Sequence, residues 1–303
     1  MAEVPRSADV EIIDPHVHFL DPGRFEYPWL EDPEFAQIRR PFLPEDLRSA
    51  ADAVEISGCV HVQAEISHEL DPVAETAWIA SLGAANPGFP LACVAYADLR
   101  APDLDELLTR HREFGIVTGI RQEAWFDPTS KRADILSEDL LSDRNWRAGY
   151  RRLAHYGLSF DLLVWPWQLP AAMRLAAENP GVTVVVEHLG LPDLAPPEGL
   201  EVWQRGIRAV AGVPHAVLKI SALSQINRAW TPDLVAPLIR EAIEVMGAER
   251  CMFASNYPVE SLASDYERVW ATYQAVVADF SAADRLSLFA GTAKRAYLGP
   301  SGG

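Results

Sequence analysis

Val182-Thr183-Val184-Val185-Val186-Glu187-His188-Leu189-Gly190 is a β-branched run that stops abruptly at two ionisable residues. A strand that is apolar at almost every position is buried on both faces, as in a parallel sheet covered by helices; a half-exposed strand would alternate. An amphipathic stretch, Glu201 to Ala211, follows it, and then another apolar run, Ala216 to Leu223. The same rhythm extends in both directions. The other strands it predicts are Val10 to His18, Gly58 to Glu65, Leu91 to Asp98, Val117 to Ala124, Ser159 to Trp165 and Cys251 to Pro258. The other helices it predicts are Leu43 to Ala53, Pro72 to Ala85, Leu104 to Phe114, Asp143 to Tyr156, Gln168 to Asn179, Pro232 to Met246 and Ser264 to Asp279. Asp71-Pro72 and Thr231-Pro232 are helix-start signals, because a proline in the first turn pre-sets φ and loses no hydrogen bond there.

Eight strand-helix pairs with no Pro/Gly/Ser-rich linker predict an α/β fold, a single (β/α)8 TIM barrel over residues 1–303. An open doubly wound sheet is the alternative. Its phosphate loop is missing, because the first strand-to-helix turn reads His16-Val17-His18-Phe19-Leu20 without glycine, which also argues against a dinucleotide. The connection Phe19 to Leu43, with Tyr27-Pro28-Trp29-Leu30, is longer than barrel loops usually are and reads either as an active-site lid or as a strap packed over the barrel.

Composition narrows the partners. Lys plus Arg (26) against Asp plus Glu (43) gives −17, which repels nucleic-acid phosphates and anionic lipid, so a small-molecule substrate is expected. Met1 to Val10 carries charges and no leader-like apolar stretch, and no run approaches a membrane span, so a cytoplasmic protein is expected. Cys59, Cys93 and Cys251 each lie in apolar runs without CxxC spacing and read as buried thiols in a reducing compartment. Nine tryptophans, some in Trp165-Pro166-Trp167, offer surfaces for a homo-oligomer.

In a barrel the chemistry collects where strands end, at their C-terminal edge. Strand one closes Asp14-Pro15-His16-Val17-His18, and alternation points Asp14, His16 and His18 the same way. Neutral imidazoles so spaced suit a divalent metal, or polarise a carbonyl without one. Strand two closes with Gln63-Ala64-Glu65 and strand four with Arg121-Gln122-Glu123, offering a base and an anion clamp or else a structural ion pair. His188 closes the apolar run that begins at Val182. Lys219 ends the next strand as a candidate anion clamp, and Trp165 joins Arg121, Lys219 and Glu123 as a candidate substrate-binding residue. Asn256 closes the last strand with an amide that hydrogen-bonds but cannot take a proton from water. His61, His68, His111, His155 and His215 are given surface or core roles.

Asp14-Pro15-His16-Val17-His18, Glu187-His188-Leu189-Gly190, Met252-Phe253-Ala254-Ser255-Asn256-Tyr257-Pro258 and the closing Gly291-Thr292-Ala293-Lys294-Arg295-Ala296-Tyr297 together resemble the amidohydrolase superfamily, in its amidohydrolase-2 branch. The resemblance spans nearly the whole chain and implies a (β/α)8 fold. It implies one of the branch's activities: sugar-lactone hydrolysis, hydrolysis of dicarboxylate lactones from aromatic rings, or metal-dependent decarboxylation. His16, His18 and His188 become the metal residues, for one Zn2+ or Mn2+, with metal-independent activity left open. Arg121 and Lys219 become holders of substrate carboxylate or carbonyl oxygens. The branch commonly has an aspartate where this chain has Asn256, so the base passes to Glu65, Glu123 or His188. The leading expectation is a hydrolase opening a lactone or similar cyclic ester, with an anionic or cyclic-ester substrate. Its alternatives are a decarboxylase and a noncatalytic anion-binding barrel.

Overall fold

The computed structural model describes residues 10–129 and 135–299. Eight parallel strands run in chain order: β1 (Ile13–Val17), β2 (Gly58–Val62), β3 (Ala92–Tyr96), β4 (Val117–Arg121), β5 (Ser159–Leu162), β6 (Val184–Val186), β7 (Ala216–Ile220) and β8 (Cys251–Phe253). β8 returns to β1 through a bridge between Val17 and Tyr257 and through the His18 amide, which donates to the Tyr257 carbonyl at 2.7 Å. Helices α1 (Pro44–Ala50), α2 (Pro72–Ala85), α3 (Leu104–Arg112), α4 (Arg144–Tyr156), α5 (Leu169–Ala177), α6 (Gly199–Ala211), a one-turn α7 (Leu223–Ile226), α8 (Pro232–Met246) and α9 (Tyr266–Val276) separate or follow the strands. This is a (β/α)8 barrel. The limits of α2 and α8 are those read from their capping residues: Asp71 accepts from the Val73 amide, and Thr231 accepts from the Leu234 amide.

Two hydrophobic layers hold it. The outer one lies between strands and helices; an inner cluster groups Ile13, Val60, Val62, Val94, Val185 and Met252 with Ala290, Ala293 and Tyr297 of the closing segment. The three cysteines are buried and free.

Three expectations are corrected or decided. The strands end earlier than the apolar runs implied: His16, Arg121 and Lys219 stay within β1, β4 and β7, while His18, Glu65, Glu123, His188 and Asn256 lie in the loops just beyond their strands. Glu65, His188, Leu189, Ala222 and Asn256 adopt left-handed backbone (φ 53 to 63). Asp14 does not face the same way as the two histidines. Strict alternation from the inward Ile13 would turn His16 outward, but an irregularity in the β1–β2 pairing between Asp14 and Val17 changes the phase and brings His16 and His18 in. Asp14 instead accepts from the Ser255 amide at 3.0 Å, the Ser255 hydroxyl at 2.5 Å and the Tyr266 hydroxyl at 2.9 Å. Residues 19–43 form a packed strap: Phe19, Leu20, Tyr27, Leu30, Ile38 and Phe42 are buried, and the Trp29 indole donates to the Ala64 carbonyl at 2.8 Å. No helix among the described residues is long and apolar enough to cross a membrane.

Candidate active site

A cavity of about 1070 Å3 opens over the C-terminal edge of the sheet. His18, Ala64, Glu65, Arg121, Glu123, Trp125, His188 and Asn256 line it from the barrel, and Trp29 and Phe35 line it from the strap.

At its floor the Nε2 atoms of His16 and His18 stand 3.2 Å apart. His18 Nδ1 is 2.8 Å from the Val62 carbonyl, which only accepts, so Nδ1 carries the hydrogen and Nε2 keeps its lone pair in the neutral ring. Burial, followed by the charge of Arg121, holds the His18 pKa well below the ordinary histidine value. Burial and the charge of Lys219 do the same to His16. His188 is lowered by burial, then by Arg121 and Lys219. All three rings are therefore neutral near pH 7. The His188 ring centroid lies 4.7 Å from that of His16, and its Nδ1 is 2.9 Å from the Ser221 hydroxyl.

Below the floor lies a network of ions. Lys219, with no exposed surface, donates to Asp161 at 2.5 Å; Asp161 also accepts from the Tyr297 hydroxyl at 2.7 Å. Glu187 lies 3.3 Å from His16 Nδ1 and accepts from Arg121 at 3.3 Å. Arg121 donates a second bond to the Gln63 carbonyl at 2.8 Å and stands 3.7 Å from Glu123. His16 Nδ1 is equally 3.3 Å from Lys219 Nζ, so the ring has two self-consistent tautomers. With the proton on Nδ1 facing Glu187, both floor Nε2 atoms present lone pairs; with Nδ1 accepting from Lys219, His16 donates to His18 through Nε2.

Near the mouth, Glu65 accepts from the Gln63 amide and from His68 Nε2 (2.9 Å), and the His68 ring stacks on Tyr96 with centroids 4.4 Å apart. Burial alone would raise the Glu65 carboxyl, but the His68 hydrogen bond and the Arg121 charge carry it below its ordinary value. The Glu65 hydrogen bond raises His68.

The structure thus brings His16, His18, His188 and Asn256 together at the floor and Glu65, Arg121 and Glu123 into the wall. Lys219 lies beneath the lining rather than in it, and Trp165 packs behind Trp125 at 5.3 Å between centroids. Arg121 spends its guanidinium on Glu187 and Gln63. Ser221, Asp161, Tyr297 and His68 were not singled out as site residues. An acid inside the strand Ser159–Leu162 was a readable signal for Asp161; the other three depend on contacts between distant parts of the chain.

The family model described as Amidohydrolase matches residues 13–298. The chain belongs to the amidohydrolase family. A protein y4mH of Sinorhizobium fredii, called uncharacterized, is 33% identical over 96% of this chain and 99% of its own. An L-fucono-1,5-lactonase of Burkholderia multivorans is 29% identical over 95% of this chain and 96% of its own. Crystal structures of an amidohydrolase from Burkholderia multivorans, one with bound HEPES and one with bound zinc, are 28% identical and superpose with TM-score 0.82 over 96% of this chain and 100% of theirs.

The donor set of this amidohydrolase fits a divalent metal. Zinc bound to imidazole nitrogens at about 2.0–2.1 Å sets neighbouring ligand atoms about 3.3 Å apart in a tetrahedron, close to the His16–His18 separation. His18 and His188 have their Nδ1 atoms anchored, the orientation that ligating histidines take. His16, Glu187 and His188 also offer ligand atoms within 4.8 Å of one another.

Proposed function

We propose that the protein hydrolyses a lactone, and that the lactone is an uncharged, hydroxyl-bearing one rather than a dicarboxylate. The observation that carries this reading is the lining of the cavity. Its floor holds two neutral imidazoles, His18 and His188, beside the Asn256 amide. Among the described lining residues, eight are carboxylates (Asp32, Glu34, Glu65, Asp71, Asp98, Asp103, Glu106, Glu123) and three are arginines. Each arginine faces a carboxylate: Arg100 pairs with Asp98, Arg110 with Asp71 and Arg121 with Glu187. Among the described lining residues no free cation remains to repay the desolvation of an anionic substrate. Paired carboxylates and the Trp29 and Phe35 faces suit hydroxyls and the apolar side of a sugar ring. The fucono-lactonase relative supports the same class.

Ester hydrolysis needs a donor where the carbonyl oxygen becomes an oxyanion. The Asn256 amide supplies one, and the left-handed backbone at φ 63 suits asparagine. The Asn256 N–H is fixed to the His16 carbonyl at 3.0 Å, so the side chain is set by the strand that carries the histidines. His16, His18 and His188 would hold a divalent ion, which when bound supplies Lewis-acid polarisation of the carbonyl. The chain's own contribution is to hold neutral nitrogens toward the water and to keep Glu187 and Arg121 locked behind them.

The test is mass spectrometry of the protein incubated with neutral sugar lactones, with dicarboxylate lactones and with aromatic carboxylic acids, with Zn2+ or Mn2+ supplied. A product heavier by one water from the neutral set alone is expected. Hydrolysis confined to the dicarboxylates, or loss of carbon dioxide from an aromatic acid, refutes the reading.

A further inference from the structure

Asn256 cannot accept a proton at neutral pH, so hydrolysis by this site requires an acceptor elsewhere in the cavity. His18 and His188 are anchored through Nδ1 to the Val62 carbonyl and the Ser221 hydroxyl, which leaves their Nε2 atoms to the floor as the nitrogens a metal would take. Of the carboxylates, Asp71 is taken by Arg110, and Asp98 is shared between Arg100 and the Gln122 amide. One arrangement on the wall differs from these. Glu65 is gripped by Gln63 twice, the Glu65 N–H donating to the Gln63 amide oxygen at 2.7 Å and the Gln63 amide N–H donating to the carboxylate. Its other oxygen lies 2.9 Å from His68 Nε2. The His68 ring is further fixed by near-parallel stacking on Tyr96, with an interplanar angle of 19°. A carboxylate that orients an imidazole through one nitrogen leaves the other nitrogen as the base, and Nδ1 of His68 makes no hydrogen bond among the described residues.

We propose that His68, oriented by Glu65, takes the proton from the attacking water in the lactone hydrolysis proposed above. The water oxygen bonds to the ring carbonyl carbon while its proton passes to His68 Nδ1. The ring C–O bond then breaks, its electron pair goes to the ring oxygen, and that oxygen takes the proton from the imidazolium. The sum is one lactone and one water giving one hydroxy acid, with His68 returned to its starting state. The groups that face the ring are Glu65 and Asp98, which favour its charged form, and Tyr96; Arg121 acts on Glu65 and Arg100 on Tyr96. The left-handed backbone at Glu65 (φ 53) carries the strain usual where a side chain is aimed for function. The His68 side chain is 57% exposed, so small molecules in solution reach it.

That accessibility provides the test. His68→Ala is expected to lower kcat by about 10²- to 10³-fold with little change in KM, and added imidazole is expected to restore turnover in proportion to its neutral fraction. Glu65→Gln keeps a hydrogen-bond acceptor but loses the charge, and is expected to move the acidic limb of the pH–kcat profile to lower pH. Turnover of His68→Ala within threefold of the wild type overturns the assignment, as does a loss that imidazole leaves untouched. If the wild type opens no lactone, the function and the base fall together; if it does and His68→Ala matches it, the base alone falls.

Discussion

Two sets of paired acids and bases sit in this barrel, and water separates their behaviour. Beneath and behind the floor, Arg121, Asp161, Glu187 and Lys219 are almost wholly buried and pair with one another across β4, β5, β7 and the loop after β6. At the mouth, Glu65 and His68 are paired just as closely, but the His68 side chain is 57% exposed and that of Glu65 is 22% exposed. A buried ion network is locked, since changing any one charge leaves another uncompensated in a low-dielectric interior. It serves as scaffold for neutral histidines. A partly exposed pair can exchange a proton at little cost, which is what proton transfer in a catalytic cycle asks for. The same residue types thus divide into a fixed frame and a titrating pair according to burial alone.

Breaking the frame is expected to have the largest effect. Lys219→Met keeps most of the volume but strips Asp161 of its cation and removes a positive charge 3.9 Å from Glu187. A loss of about 3–5 kcal/mol in unfolding free energy follows, measurable by urea denaturation. Adding Asp161→Asn should recover part of it, because the uncompensated charge is then gone. Strict additivity of the two changes would show that Lys219 and Asp161 are not coupled.

The boundary between frame and cavity is His188, neutral and anchored to Ser221. His188→Ala is expected to cut kcat at least about a hundredfold, or about 2.7 kcal/mol of transition-state stabilisation. Its backbone sits at φ 55, where alanine is strained, so His188→Asn separates loss of the ring from loss of the turn. Near-native turnover in both variants would remove the floor histidines from the chemistry.

The frame was partly legible in the sequence, and of the mouth pair only Glu65 was. Runs such as Val182 to Val186 and caps such as Asp71 and Thr231 encode their elements locally, so the barrel and the bounds of two helices could be read directly. His16, His18 and His188 were legible because strand ends in a barrel converge. The phase change at Asp14 was hidden, since nothing in Asp14-Pro15-His16 announces a pairing irregularity that only the neighbouring strand reveals. Lys219 looked like a clamp because its partners, Asp161 and Tyr297, lie 58 and 78 residues away and meet it only through the barrel's closure. His68 was invisible for a related reason. Its stacking partner stands at the end of β3, and the left-handed turn at Glu65 that folds it back toward its acid is not written in a non-glycine residue.

The smallest expected effect sharpens the comparison most, because it reads the mouth pair without any substrate. Pairing raises His68 above its ordinary 6.5, so its contribution to stability is complete below 6.5 and fades as pH rises through the raised value. Pairing lowers Glu65 below its ordinary 4.5, so its contribution is complete above 4.5 and fades as pH falls through the lowered value. Both are whole only between those two ordinary values. The stability difference between wild type and His68→Gln is therefore expected to peak between pH 4.5 and 6.5, and to decline on either side. With His68 more than half exposed, solvent screening holds that peak below about 1 kcal/mol. Urea titrations across pH 4 to 9 measure it. A difference that stays flat through this range would mean that Glu65 and His68 are neighbours without being coupled, and the contrast between a locked frame and a titrating mouth would then have no physical basis.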